Sequence, residues 1–335
     1  LKQFLTLCRA KFNMSLTMAI VLAVGLDYWL GEPKRLHPLV GFGALVDGLE
    51  SWLNPHHKDG PEPAKTNDII KAQGFLALLL AIGPIGFIAY SLEQTLANSE
   101  FWLTIVGGVL LYLAIGWRSL IEHAKAISQP LYANDLVSAR KAVSMIVSRD
   151  TGQLNEQEIA TAATESVLEN GADAIFAAIF WFIVAGIPGV VIYRLSNTLD
   201  AMWGYKNPRF LNFGFAAARF DDLLNFIPAR LTALSYTLCG SLNGHGQAAW
   251  QSWRQQAGTW KSPNAGPVMS SGAGAIGVTL GGSANYHGQT QDRPVLGKGE
   301  LPMAKSIDDA CTLVDRSLIL WVLVIGLLSL LGAAL

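Results

Sequence analysis

Charge-free apolar runs, separated by stretches that hold the acidic and basic residues, dominate the pattern of the chain. A helix needs about 20 such residues to cross a bilayer. Residues 72–92 lie between Lys71 and Glu93, 101–117 between Glu100 and Arg118, and 174–193 between Asp173 and Arg194; 317–335 form a fourth run. Residues 12–26 make a shorter one. Residues 231–253 are free of Lys, Arg, Asp and Glu but turn Gly- and polar-rich after Leu238. Lys34, Arg35, Lys58, Lys65 and Lys71 precede the first pair of runs, and Arg118, Lys125, Arg140, Lys141 and Arg149 follow it. The turn 93–100 has no Lys or Arg, so the positive-inside rule makes 72–92 and 101–117 a helical hairpin with its tip outside.

The run 174–193 fits that scheme poorly. Arg194, Lys206, Arg209 and Arg219 follow it, and Ile187-Pro188-Gly189 interrupts it. Proline removes a backbone donor, and the freed carbonyl must be satisfied by protein or water. A kinked, re-entrant or bundle-buried segment therefore competes with a simple span, and the preferred reading keeps 118–316 largely cytoplasmic. The basic N-terminal stretch before 18–26 is followed by Asp27-Tyr28-Trp29, not by small-x-small, so it reads as a retained segment. Helical spacing of Leu136, Ala139, Val143 and Ile146 predicts a helix over 135–147. Asn155 and Glu158 form a capping-box pattern for a helix over 156–169, ending at Asn170-Gly171. Residues 260–301, rich in Gly, Ser, Pro and Asn, show no apolar period and read as a long loop.

Composition agrees with a membrane chain. Of 335 residues, 51% are hydrophobic and 15% charged, with a mean hydropathy of +0.34; soluble domains carry roughly 25% charge. The expected fold is all-α: a polytopic helical membrane protein with kinked or re-entrant segments, forming one integral membrane domain over 1–335 whose long Gly-rich loop, 254–316, faces the cytoplasm. The net charge of −1 leaves no basic excess for nucleic acid. Cys8, Cys239 and Cys311 have neither metal spacing nor the even count of a disulfide framework, and the six histidines show no metal motif.

Candidate chemistry lies in polar blocks beside the apolar runs. Glu165 and Glu169 are four apart on one helical face, a spacing at which like charges repel; Mg²⁺, a substrate ammonium or an arginine opposite them would relieve it. A solvated acidic face is the bland alternative. Asn197-Thr198-Leu199-Asp200 with Lys206, and Arg219-Phe220-Asp221-Asp222 with Asn225 and Arg230, set ionisable groups among Leu, Phe and Ile. Such groups next to lipid are costly and suggest function, although ion pairs that glue helices together would look the same. Paired aspartates with a nearby Asn suit Mg²⁺, and arginines suit phosphate. Ser262-Pro263-Asn264-Ala265-Gly266 opens a small-residue stretch that can approach an anion closely. No P-loop motif is present.

Taken in order, these blocks resemble a known family. Asp27-Tyr28-Trp29-Leu30-Gly31-Glu32-Pro33 with His37-Pro38 resembles its opening signature; Ser148-Arg149-Asp150-Thr151, Glu165 to Asn170 with Asp173, Asn197 to Met202 with Gly204-Tyr205-Lys206, Ala218 to Asp222 with Pro228-Ala229-Arg230-Leu231, and Ser262 to Gly266 resemble the rest. The family is the adenosylcobinamide-phosphate synthases of cobalamin biosynthesis, integral proteins of the bacterial inner membrane. Trp203, where the family has a smaller aliphatic residue, and Ser283-Ala284-Asn285-Tyr286, in place of a proline-rich ending, depart from it. The resemblance implies a multi-pass amide ligase, active site toward the cytoplasm, that joins adenosylcobyric acid to (R)-1-amino-2-propanol phosphate or a related amino alcohol, giving adenosylcobinamide phosphate. ATP and Mg²⁺ are the implied cofactors, the corrinoid is a substrate, and other membrane enzymes of late cobalamin assembly are possible partners. On that reading Glu169, Asp221 and Asp222 take Mg²⁺. Arg149, Lys206, Arg219 and Arg230 bind phosphates. Glu165 or Asp150 holds or deprotonates the amine. Asn170, Asn197, Asp200, Ser262 and Asn264 bind and orient substrate groups. A transporter of a small polar or corrinoid substrate ranks second and a non-catalytic membrane regulator third.

Overall fold

The computed structural model describes residues 14–33, 38–56, 67–147, 150–286 and 289–334. His37, Ser148 and Arg149 lie outside the described residues. The chain divides into two compact units. One holds the chain up to Ile115, Ala177–Asn225 and the end from Gly326; the other holds Gly116–Phe176 and Phe226–Ile325.

The first unit contains α1 (Met14–Leu30), α2 (Pro38–Leu53), α3 (Asp68–Leu96), α4 (Glu100–Ala114) and α8 (Ala177–Trp203). Asn67 caps α3 by accepting the amides of Ile69 and Ile70, and Ser99 caps α4. The expected hairpin is present: α3 and α4 are joined by a turn of three residues, 97–99. Helix α1 packs on α4, and α2, α3 and α4 pack on α8. Gly108 admits Leu22 and the Ala19 carbonyl, where an added Cβ would meet atoms at 2.9 and 3.0 Å. The core holds Phe42, Val46, Leu78, Ile82, Leu199 and Trp203. Trp203 stacks edge-on to Phe213 at 4.9 Å, so the enlarged residue is absorbed as core. A carboxylate is also buried here: Glu50, 1% exposed, accepts from Asn54 and from Nε of Arg209 at 2.8 Å and pairs with Nη2 as well.

Helix α8 shows what the proline does. Ala185 and Gly186 leave the helical region, Gly186 at φ +61°, and the helix restarts with Pro188 in its first turn. Proline suits that place, since its missing donor would be unsatisfied there anyway. The orphan amide of Ile187 donates to Oε2 of Glu93 at 2.6 Å. An acidic group at a helix start also complements its dipole. This is the kinked form of the segment; Trp181 Nε1 reaches the Leu224 carbonyl while Tyr193, beyond the break, reaches Asn225.

The second unit contains α5 (Trp117–Tyr132), α6 (Leu136–Val143), α7 (Glu156–Gly171), α10 (Gly246–Gln256) and α11 (Ala265–Ile276). The expected helix over 135–147 is shorter: Asp135 caps α6, which ends at Val143, and residues 144–146 form a turn. Both halves of the Asn155–Glu158 capping box are made. The expected stop at Asn170-Gly171 is not: α7 passes through a π turn, Ala172–Phe176, toward α8. Asn170 donates back to the carbonyl and hydroxyl of Ser166. Gly171 serves close packing, since a Cβ there would lie 2.7 Å from Tyr236 Oη and 2.9 Å from Val314.

The segment 260–301 is also not simply loop. Helix α11 is buried from Ala265 through Ala275, so it has no polar face to produce a period. Its small residues let Gly272 touch Leu168 and Gly274 touch the backbone of α10. Two small antiparallel ladders follow, β1 (Thr279–Leu280) with β4 (Leu296–Gly297), and β2 (Ala284–Tyr286) with β3 (Gln289–Gln291). Helices α9 (Phe215–Ser241) and α12 (Ala304–Ala334) complete the chain.

Among the described residues, four helical segments are long and apolar enough to cross a membrane: Asp68–Leu96, Glu100–Tyr132, Glu156–Trp203 and Ala304–Ala334. They carry exposed Phe75, Leu79, Phe87, Ile319, Leu323 and Leu327, apolar faces suited to lipid rather than water. Helix α1, at 17 residues, is a shorter apolar helix, and the run 231–253 is divided between α9 and α10.

Candidate active site

In the first unit α8 and the start of α9 bring polar groups together. Tyr193, Asn197 and Asp200 follow at helical spacing on α8; Asp221, Asp222 and Asn225 do so on α9. The Tyr193 hydroxyl donates to Asn225 Oδ1 at 3.0 Å, and the Asn225 amide donates to Asp221 Oδ2 at 2.9 Å. Asp221 is 8% exposed, and its second oxygen is buried with no hydrogen-bond partner. Burial, then the charge of Asp200, pushes the Asp221 carboxyl up to about 7, against the pull of Asn225 and Asn197. Asp222 is also raised, chiefly by burial, with Arg219 and Lys206 opposing. Arg219 lies 3.8 Å from Asp222 and is largely exposed, as is Lys206. Gly204 leaves room for Asp200, whose Oδ1 would be 2.2 Å from an added Cβ.

In the second unit Glu165, Glu169 and Asn170 line a cavity of about 200 Å³ with Ser166, Trp260 and Met269. Glu165 is engaged: its Oε2 pairs with Arg293 at 2.8 Å and its Oε1 accepts the Gly281 amide at 3.0 Å. Of the three cations that the glutamate spacing left open, an arginine, Arg293, meets Glu165. Arg230 donates to Asn264 Oδ1 and to the Pro263 and Phe226 carbonyls, and stacks 3.5 Å from the Phe226 ring centre. Burial lowers its pKa. The Ser262 hydroxyl accepts from the amides of Asn264 and Ala265, in the turn that leads into α11. Asp150 is exposed.

The structure therefore gathers Asn197, Asp200, Lys206, Arg219, Asp221 and Asp222 in one group, Glu165, Glu169 and Asn170 in another, and Arg230, Ser262 and Asn264 in a third. Among the described residues no three His, Cys, Asp or Glu side chains form a metal-ligand group. The donors at Asp221 and Asp222 still fit Mg²⁺, which commonly takes one or two carboxylates and completes its shell with water and phosphate; the unpartnered buried oxygen of Asp221 is the specific point of fit. Tyr193 and Arg293 carried no sequence signal. Asn225 did, through its spacing from Asp221.

These features define a helical protein of membrane type with a buried carboxylate centre flanked by exposed cations. A match to the CobD/Cbib protein family covers residues 20–314, and the chain belongs to that family. It is 53% identical over 312 residues to "Cobalamin biosynthesis protein CobD" of Stutzerimonas stutzeri, covering 93% of this chain and 97% of that one. It is 52% identical over 308 residues to the Chromobacterium violaceum protein of the same name, covering 92% and 95%. The Mycobacterium tuberculosis protein, also so named, is 36% identical over 300 residues, covering 89% and 91%. No solved structure gives a significant match.

Proposed function

We propose that the chain acts in cobalamin biosynthesis as an ATP-dependent amide ligase, joining adenosylcobyric acid to (R)-1-amino-2-propanol phosphate or a related amino alcohol at the cytoplasmic side of the bacterial inner membrane. Family membership and the names of the relatives support the pathway. The observation that carries the reaction is the buried Asp221 oxygen without a protein donor, beside Asp200 and Asp222. A buried carboxylate of this kind is costly; a bound cation would offset that cost, and without one the carboxyl keeps a proton to higher pH instead.

Asp221 and Asp222 would hold Mg²⁺, which when bound neutralises charge on phosphoryl oxygens. Lys206 and Arg219 bind the phosphates that accompany it, and Arg149 and Arg230 bind those of the amino alcohol. Asn197 and Asp200 orient the reacting groups, while Asn170 and Asn264 hold amide and hydroxyl groups of the substrates. The γ-phosphoryl group of ATP passes to a carboxylate oxygen of the corrinoid, and ADP leaves. Glu169 receives the substrate ammonium, and a carboxylate, Glu169 or Asp150, takes its proton. The free amine attacks the acyl carbon; the C–N bond forms, the C–O bond breaks, and inorganic phosphate leaves.

The test supplies purified protein with adenosylcobyric acid, aminopropanol phosphate and Mg-ATP and looks for the amidated corrinoid by mass. Wild type should form it, and Asp222→Ala and Arg219→Ala should abolish turnover while remaining folded. No product from wild type, under conditions where an active synthase works, removes the reading.

A further inference from the structure

Arg293 belongs to two cavities at once. It lines the cavity of Glu169 and Asn170 and also a second one, of about 270 Å³, bounded by Leu154, Gln157, Thr161 and Gly282. Its side chain is 11% exposed and that of Glu165 7%. Beyond its pairing with Glu165, its Nε donates to the Gly282 carbonyl at 3.2 Å, its Nη2 donates to that of Gly281 at 3.4 Å, and its guanidinium lies 5.5 Å from the Trp260 ring centre. The Gly281 amide is held in turn by Glu165. All these bonds meet at Gly281-Gly282, where φ is +83° and +77°, a conformation that side chains rarely allow.

That turn is the base of a hairpin. Across it Ser283 Oγ donates to Asp292 at 2.6 Å, and β2 then pairs with β3. A two-stranded hairpin is marginal by itself, so its position depends on what fixes its base.

We infer that Glu165 and Arg293 are a positioning pair that clamps the Gly281-Gly282 turn to α7 and so holds the Arg293 side chain in place in the wall of the cavity that Glu169 and Asn170 line. The clamp follows from geometry alone; its effect on turnover rests on the ligase reading. Both residues act by holding that wall, and the chemistry belongs to other groups. Loosening the wall weakens ground-state and transition-state binding alike, which raises KM and leaves kcat. An arginine fork also does what a lysine cannot, since it binds a carboxylate and two carbonyls together.

The experiment compares full-length wild type, Arg293→Lys, Arg293→Ala and Glu165→Gln by hydrogen exchange at residues 281–283 and by KM and kcat for aminopropanol phosphate. Arg293→Ala should raise exchange by at least about tenfold, because local opening governs it. Its KM should rise by about tenfold with kcat nearly unchanged, and Arg293→Lys should fall between it and wild type. Glu165→Gln keeps an acceptor for the Gly281 amide but loses the charge, so it gives a smaller change in the same direction and decides the matter if Arg293→Ala fails to fold. Unchanged exchange overturns the clamp. A raised exchange with unchanged KM, or a loss of kcat at constant KM, overturns the positioning role. If wild type makes no amide, the ligase reading falls, and the exchange measurement still decides whether the pair holds the turn.

Discussion

Asp221 is where burial and charge meet most sharply. One oxygen is held by Asn225, itself fixed by Tyr193, while the other has no protein donor. Its carboxyl sits at about 7, above the ordinary 3.8, because burial and Asp200 disfavour the charged form. The folded protein therefore keeps this proton to higher pH than the unfolded chain does. The resulting stability is complete below the unfolded value, about 4, and is lost as pH rises through about 7. In chelator-treated protein, Asp221→Asn should flatten the fall in thermal stability between those limits; an unchanged pH profile would show that this carboxyl is not the group responsible. Arg209 makes a different kind of claim. It is the cation for Glu50, which is 1% exposed. Breaking a buried pair costs roughly 3–5 kcal/mol, and 40% exposure of the Arg209 side chain places Arg209→Ala toward or below the lower end. A melting curve in detergent measures this.

At the scale of elements, the broken helix α8 is the most informative. Gly186 lies at φ +61°, and a Cβ there would be 2.1 Å from Oε2 of Glu93. Gly186→Ala should destabilise the protein by at least about 1–2 kcal/mol from the backbone alone, read as a lowered melting temperature. An unchanged one would mean that the break tolerates an ordinary residue. The break was legible in Ile187-Pro188-Gly189 because proline has a local signature, whereas its partner Glu93 lies far away in sequence. The capping box was legible for the same local reason. Helix α11 was hidden because it is buried on all sides and built of small residues. The passage of the chain from α7 straight into the π turn was missed because Gly171 answers to Tyr236 and Val314, neighbours that no local pattern contains. The acidic and amide groups of α8 and α9 stood out as polar residues in apolar company, while Tyr193 and Arg293 gave no such contrast.

For the molecule as a whole, the described residues hold four long apolar segments together with polar groups that lipid would reject, and the chain belongs to a family whose named relatives are cobalamin biosynthesis proteins. Apolar helices alone would suit many membrane proteins; the buried carboxylate centre is what the proposed reading adds to them. The most direct measurement is the rate of corrinoid amide formation at saturating Mg-ATP by wild type and by folded Asp221→Asn. The account predicts amide product from wild type and a rate at least about a hundredfold lower in the variant, the scale expected when a charge-stabilising group is removed. Equal rates, or no amide from wild type, would contradict it.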